Sequence, residues 1–191
     1  MPAWYRLEDD GRPGKWFLGA PRDAHGHALD PGVFNRGEAV DVPGPVVLAV
    51  KQHGFPVDVS LAAFDTPVVS RRVGALLETL APDDVQQVPA RIEGVSVGVE
   101  ILVVRHAEAC LDQASSVDED VAWMTIAPDR TNGRAIFRVV GAEGAIVVVD
   151  RIREALEAAP IVGVRFVRVY PPPELPPDWP DRERPPGRRV S

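Results

Sequence analysis

Residues 134–170 read RAIFRVVGAEGAIVVVDRIREALEAAPIVGVRFVRVY, and this stretch decides the fold. The two apolar runs 135–140 and 144–149 have the length and the valine and isoleucine content typical of strands. A closing run, 162–169, predicts a third strand. The segment between the second and third strands is periodic at helical spacing, so the stretch predicts the order strand, strand, helix, strand.

The helix of this stretch is predicted over 150–159. Asp150 is predicted to be its N-cap, because a carboxylate there accepts bonds from free amides and favours the positive end of the helix dipole. Pro160 stops the helix. The apolar face, which must lie on a sheet, comprises Ile152, Ala155, Leu156 and Ala159.

Residues 70–80 predict a second helix, with Ser70 as N-cap and Pro82 beyond its end. Its predicted buried stripe comprises Val73, Leu76, Leu77 and Leu80. Both helices follow a strand and precede a proline, and two such units would pack their helices on one shared sheet. Any strand-to-helix junction has this form, however, so we favour the interpretation without a repeat.

Further strands are predicted from apolar runs separated by turn residues. Residues 4–7 and 15–18 predict a hairpin or two edge strands. The other predicted strands are 45–50, 85–92 and 95–105. The expected fold class is therefore α+β, with a mixed or mostly antiparallel sheet and the two principal helices packed on it.

The chain of 191 residues suits one domain, predicted over 1–170. The remainder, 171–191, has eight prolines in 21 residues and is predicted to be a disordered tail. As an adaptor, the protein would recruit a partner through this tail. A solvated terminus is the alternative.

Composition limits the partners and the compartment. A net charge of −7 argues against nonspecific nucleic-acid binding and suits a basic protein partner or simple solubility. The single cysteine, Cys110, excludes an intrachain disulfide and a cysteine-rich zinc site, which indicates a reducing compartment. Without a signal-peptide pattern or an apolar run of about 20 residues, the protein is predicted to be cytoplasmic and not bound to a membrane.

Candidate catalytic residues are few. His25 and His27 share one loop, and an enzyme hypothesis would use them with nearby carboxylates as a small hydrolase or metal-dependent enzyme. Their spacing fits no metal motif, and Cys110 is interpreted as a small buried residue rather than a nucleophile. Since the chain has no nucleophile elbow, phosphate loop or dinucleotide fingerprint, we predict neither catalysis nor a cofactor or metal.

An ordered series of short motifs resembles a myxobacterial family of immunity proteins from polymorphic-toxin systems. The series spans about residues 4–169, and no single member of it is specific. It comprises Trp16-x-Leu18-Gly19 with Asp23 and Gly26, Pro56-x-Asp58-x-Ser60, Pro67-Val68-Val69-Ser70, Leu80-Ala81-Pro82-Asp83-Asp84-Val85-Gln86 with Pro89 and Ile92-Glu93-Gly94, Cys110-Leu111-Asp112 followed by Ser115, Ile136-Phe137-Arg138, and Asp150-Arg151-Ile152 to Gly163-Val164-Arg165-Phe166.

The resemblance implies a small cytoplasmic α+β protein that binds a toxin delivered by a sibling cell and blocks it without catalysis. It brings no catalytic residues. A basic, nuclease-like toxin would suit the acidic charge of the chain. From the acidic segment 112–120, we predict a toxin-binding surface that comprises Asp112, Asp118, Glu119, Asp120 and Trp123.

Overall fold

The predicted α+β class is confirmed by a computed structural model, which describes residues 2–112 and 124–172. Helix α1 spans Arg71–Leu80 and helix α2 spans Asp150–Ala158. The strands are β1 Trp4–Asp9, β2 Phe17–Leu18, β3 Val46–Leu48, β4 Val50–Gln52, β5 Val59–Ala62, β6 Thr66–Ser70, β7 Val85–Ile92, β8 Val95–Val104, β9 Ala107–Glu108, β10 Ile136–Val139, β11 Ala142–Val149 and β12 Val164–Tyr170. From residue 173 onward, the predicted tail lies outside the described residues.

Two five-stranded sheets carry the fold. Sheet I has the strand order β3-β7-β8-β6-β5, and sheet II has the order β12-β1-β11-β10-β9. Neighbouring strands are antiparallel except at two edges, where β3 pairs with β7 and β9 pairs with β10 in parallel. A short ribbon pairs β2 with β4.

The two sheets repeat one arrangement, although the sequence analysis favoured the interpretation without a repeat. In sheet I, the hairpin β5-β6 leads into α1 and then β7, and β8 lies between β6 and β7. In sheet II, the hairpin β10-β11 leads into α2 and then β12, while the N-terminal strand β1 takes the place between β11 and β12. The second unit is thus completed by the start of the chain, and each helix follows a strand of its own sheet rather than of a shared one.

Strand β1 is an interior strand, so the predicted hairpin with 15–18 is wrong, and so is the alternative of an edge strand at 4–7. It pairs with β11 on one side and β12 on the other, whereas β2 pairs with β4. The reason is burial on both faces: Trp4 packs in one apolar cluster, while Tyr5 and Leu7 pack in another. A strand with two buried faces belongs in the middle of a sheet rather than at its edge.

Neither predicted N-cap acts as one. Val149 occupies the N-cap position of α2, and the Asp150 carboxylate accepts bonds from Arg153 inside the helix. Ser70 occupies the N-cap position of α1, but its hydroxyl donates to Asp58 at 2.8 Å instead of accepting from a helix amide. Both side chains are used by neighbouring polar groups that local spacing does not reveal.

The main core lies where both sheets and both helices meet. One cluster joins Tyr5 and Ile146 of sheet II, Leu102 of sheet I, Leu77 of α1 and Ile152 of α2. Val73, Leu77, Ile152 and Leu156 of the predicted helix faces are buried, Leu76, Leu80, Ala155 and Ala159 are partly buried, and α1 contacts α2. In the part of the chain that the structure describes, no helix has the length and apolar character needed to cross a membrane.

Candidate interaction surface

The turn between β5 and β6 presents an aromatic ring in an unfavourable backbone conformation. Phe64 and Asp65 have φ angles of 61° and 53°, in the left-handed region, and neither is a glycine. A side chain in this region clashes with its own backbone and costs on the order of 1–2 kcal/mol per residue. Phe64 is nevertheless 68% exposed, so burial of the ring in this chain does not offset that cost.

Specific hydrogen bonds hold this turn in place. Asn35, at the end of the 3-10 helix Pro31–Asn35, donates its amide Nδ2 to the Phe64 carbonyl oxygen at 2.8 Å. The hydroxyl of Thr66, which is fully buried, donates to the Ala63 carbonyl oxygen at 3.1 Å. A strained backbone conformation persists only where surrounding contacts stabilise it enough to offset its cost. The hydrogen bonds from Asn35 and Thr66 stabilise this turn in that way.

Behind the turn lies a fully buried arginine, Arg138 of β10. Its guanidinium donates to the Asn35 side-chain oxygen at 2.7 Å and to the Glu143 carbonyl oxygen at 2.6 Å. Burial lowers the pKa of Arg138 to about 10, and the charge of Asp65 acts in the opposite direction, so the group remains a cation at neutral pH. A buried cation is costly unless hydrogen bonds compensate it, and these bonds tie three segments of the chain together.

We define the Phe64 surface by four exposed residues: Phe64, Asp65, Glu143 and Gly144. The turn and the β10-β11 hairpin are adjacent, because a Cβ built on Gly144 would lie 3.2 Å from an Asp65 carboxylate oxygen. The surface therefore combines one prominent aromatic ring with two carboxylates on a rigid base. Aromatic anchors on rigid elements are the usual centres of protein interfaces.

The predicted toxin-binding residues fall mostly outside the described residues. Asp118, Glu119, Asp120 and Trp123 lie there, and only Asp112 of that set is placed. Asp112 is exposed, and its backbone amide donates to the Thr125 carbonyl oxygen at 3.1 Å. Its neighbour Leu111 approaches the β10-β11 turn, since a Cβ on Gly141 would lie 3.6 Å from the Leu111 side chain. The acidic segment thus starts beside the hairpin that carries Glu143.

The histidine loop is organised around one carboxylate. Asp23 accepts bonds from the backbone amides of His25 and His27 and from His27 Nδ1, each at 2.9 Å. These bonds, led by the one from the His27 ring, lower the pKa of Asp23. The described residues hold no group of three or more histidine, cysteine or acidic side chains that suits a metal ion. The hydrogen bonds to Asp23 stabilise the conformation of this loop.

Cys110 is completely buried, as the sequence predicts. Burial raises the pKa of its thiol to about 11. A thiol with this pKa is almost entirely protonated at neutral pH, and the thiolate is the nucleophilic form. Its environment is that of a core residue.

The sequence analysis did not identify the Phe64 surface or the hydrogen bonds that hold it in place. The sequence does contain an indication that Arg138 is buried, because this arginine stands between Phe137 and Val139 in an apolar strand. All residues of that strand are buried. No comparable signal marks Phe64, since left-handed turns are ordinarily announced by glycine or asparagine.

Comparison with known proteins adds no relationship to this geometry. No family model matches the chain, and no curated protein matches it. The function is therefore argued from the residues described above.

Proposed function

We propose that this chain is a cytoplasmic immunity protein that binds and neutralises a cognate antibacterial toxin without catalysis. The observation that carries the proposal is the Phe64 turn, in which an exposed aromatic ring is kept in a strained conformation by Asn35. Strain maintained at an exposed site points to a function there, because folding alone would favour a relaxed turn. The sequence resemblance to immunity proteins of polymorphic-toxin systems supports the same reading.

The energetics of binding follow from the rigidity of this surface. Burying one phenylalanine side chain contributes about 1.5–3 kcal/mol, and a few such anchors dominate most interfaces. Because Asn35 and Arg138 already hold the turn and its neighbouring hairpin, little conformational entropy remains to be lost on association. The surface is suited to tight binding of a preformed pocket or groove on the toxin.

The acidic residues around the Phe64 ring favour a positively charged partner. Asp65 and Glu143 flank the ring, the acidic segment 112–120 begins next to the same hairpin, and the whole chain carries a net charge of −7. Electrostatic attraction to a basic toxin, such as a nuclease, would accelerate encounter and would weaken as salt screens it. The toxin's substrate groove, which must be positively charged in a nuclease, is the surface we expect Phe64 to occlude.

Coexpression with the toxin encoded by the neighbouring reading frame tests this proposal. Cells that carry both proteins are expected to grow, and the pair is expected to elute as one complex from a size-exclusion column. The Phe64→Ala variant should lose both properties. Phe17→Ala is the matched control, because Phe17 is also an exposed aromatic residue, 45% exposed, but lies in β2. Continued killing by the toxin with no complex formed by the unaltered protein would refute the proposal.

A further inference from the structure

A concave site lies at the end of sheet II where α2 begins. It is a cleft of about 520 Å³, within the size range of about 300–1,000 Å³ typical of small-molecule sites. Trp4, Pro128 and Val149 contribute apolar walls, and Arg134 and Arg151 contribute cationic side chains. No residue of the Phe64 surface lines it.

The fold brings these groups together through strand register. Trp4 of β1 is the direct partner of Val149 of β11, and the Val149 amide donates to the Ala135 carbonyl oxygen at 2.9 Å. The next amide, that of Asp150, donates to the Ala3 carbonyl oxygen at 3.0 Å. Three neighbouring chain segments and the first turn of α2 therefore meet at one edge of the sheet.

The local electrostatics favour an anion. The guanidinium of Arg134 lies near two carboxylates: its Nη1 is 3.4 Å from an Asp84 oxygen and its Nε is 3.8 Å from a Glu108 oxygen. Among residues 2–112 and 124–172, Arg151 makes one long contact, with the Leu80 carbonyl oxygen at 3.4 Å, which leaves most of its guanidinium donors available to a ligand. The start of α2 adds a partial positive charge and Val149 supplies no side-chain cap, while the Asp150 carboxylate in the first turn is paired with Arg153. Asp129 is the acidic residue among those that line the cleft.

Trp4, in the wall of the cleft, carries a buried hydrogen-bond donor. Trp4 is 4% exposed, and its indole Nε1 is a buried donor without a partner in residues 2–112 and 124–172. The Nε of Arg134 is also buried, and it lies 3.8 Å from a Glu108 carboxylate oxygen, beyond hydrogen-bond distance. The unmatched indole donor of Trp4, a residue that lines the cleft, adds partial positive charge there.

We propose that this cleft binds a carboxylate that is attached to a compact apolar group. The cation of Arg151 and the start of α2 receive the carboxylate, and the apolar body packs against Trp4, Pro128 and Val149. A free carboxylic acid and the C-terminus of a peptide with an apolar last residue share this chemistry. The site is separate from toxin binding and does not depend on it.

Titration of the full chain, followed through the indole N–H signals in nitrogen–proton correlation spectra, tests this site. The probe is 3-phenylpropionate, and the signal of Trp4 is assigned by triple-resonance methods rather than by substitution of a core residue. We expect a saturable shift of the Trp4 signal. Arg151→Gln, at an exposed position, should weaken binding by about two- to fivefold, because it removes an exposed ion pair with the carboxylate. Arg12→Gln, an exposed arginine beyond the opposite end of β1, should leave the affinity unchanged.

Three further probes decide the ligand class. The neutral amide of 3-phenylpropionate and inorganic phosphate should each bind more weakly than the acid. Tighter binding of N-acetylphenylalanine than of 3-phenylpropionate would support a peptide C-terminus, and the reverse order would support a free acid. The proposal is overturned if the Trp4 signal does not shift, if the amide or phosphate binds as well as the acid, or if the two arginine variants behave alike.

Discussion

The guanidinium of Arg138 donates a hydrogen bond of 2.7 Å to the side-chain oxygen of Asn35, across 103 positions of the chain. The same Asn35 side chain donates its Nδ2 to the Phe64 carbonyl oxygen at 2.8 Å. One amide group therefore links a buried cation in sheet II to the strained turn of sheet I. The backbone of Phe64 is thus connected through Asn35 to Arg138.

Replacement of Arg138 by methionine should destabilise the fold and loosen the Phe64 turn. Hydrogen bonds to a charged group contribute roughly 1.5–3 kcal/mol each, and the change leaves Asn35 and the Glu143 carbonyl oxygen without their donor. We expect a loss of unfolding free energy of at least that size in urea titrations. Arg138→Lys should retain only part of this stability, because an ammonium group cannot donate in the planar geometry of a guanidinium. A methionine variant as stable as the original chain would show that the bonds merely balance the cost of burial.

Phe64→Gly should make the protein more stable while it removes binding. Glycine adopts a φ of 61° without a clash, so we expect a gain of roughly 1 kcal/mol in unfolding free energy. Phe17→Gly is the control at a strand residue outside the left-handed region, where glycine should cost about 0.5–1 kcal/mol. Thermal unfolding measures both changes. A loss of stability for Phe64→Gly similar to that of the control would contradict the assignment of strain.

Asp58 should give the protein an acid-sensitive contribution to stability. Burial alone would raise the pKa of Asp58, but bonds from Arg72 at 2.7 Å, Ser70 at 2.8 Å and the Val162 amide at 3.1 Å outweigh it and lower the pKa. The contribution is therefore complete above the ordinary value of 3.8 and is lost as the pH falls from there through the lowered pKa.

Urea unfolding at a series of pH values checks this dependence. Asp58→Asn should be less stable at neutral pH, and its disadvantage should shrink below about pH 4, where the native carboxylate itself becomes protonated. A difference between the two proteins that stays constant from neutral pH into this acid range would contradict the expected sign.

Gly163 should not tolerate a side chain, because it lies where two parts of the chain touch. Its φ is 100°, and an added Cβ would lie 2.2 Å from the Val59 carbonyl oxygen. We expect Gly163→Ala to cost more than about 2 kcal/mol, from backbone strain together with the clash. Gly94→Ala, at a φ of 72° with open space around it, should cost only about 1 kcal/mol. Chemical denaturation of the two variants compares them, and equal losses would exclude the close approach.

The sequence predicted the local elements well, because strand and helix periods are written in consecutive residues. The buried faces of both helices and the strands around Glu93-Gly94 are where the apolar spacing places them. The position of β1 was not predictable, since it depends on pairing with strands that lie more than 130 residues later. The link between Asn35 and Arg138 is equally remote in sequence, and no glycine marks the turn at Phe64. The candidate surface therefore emerged only from the structure.

The affinity of the purified toxin for the original chain and for Phe64→Ala, measured by isothermal titration calorimetry beside Phe17→Ala, bears most directly on the proposed function. An anchor of a protein interface is worth at least about 2 kcal/mol, so Phe64→Ala should weaken binding about 30-fold or more. Phe17→Ala should bind as the original chain does. Tight binding that is equal in all three proteins would contradict the role assigned to the Phe64 surface.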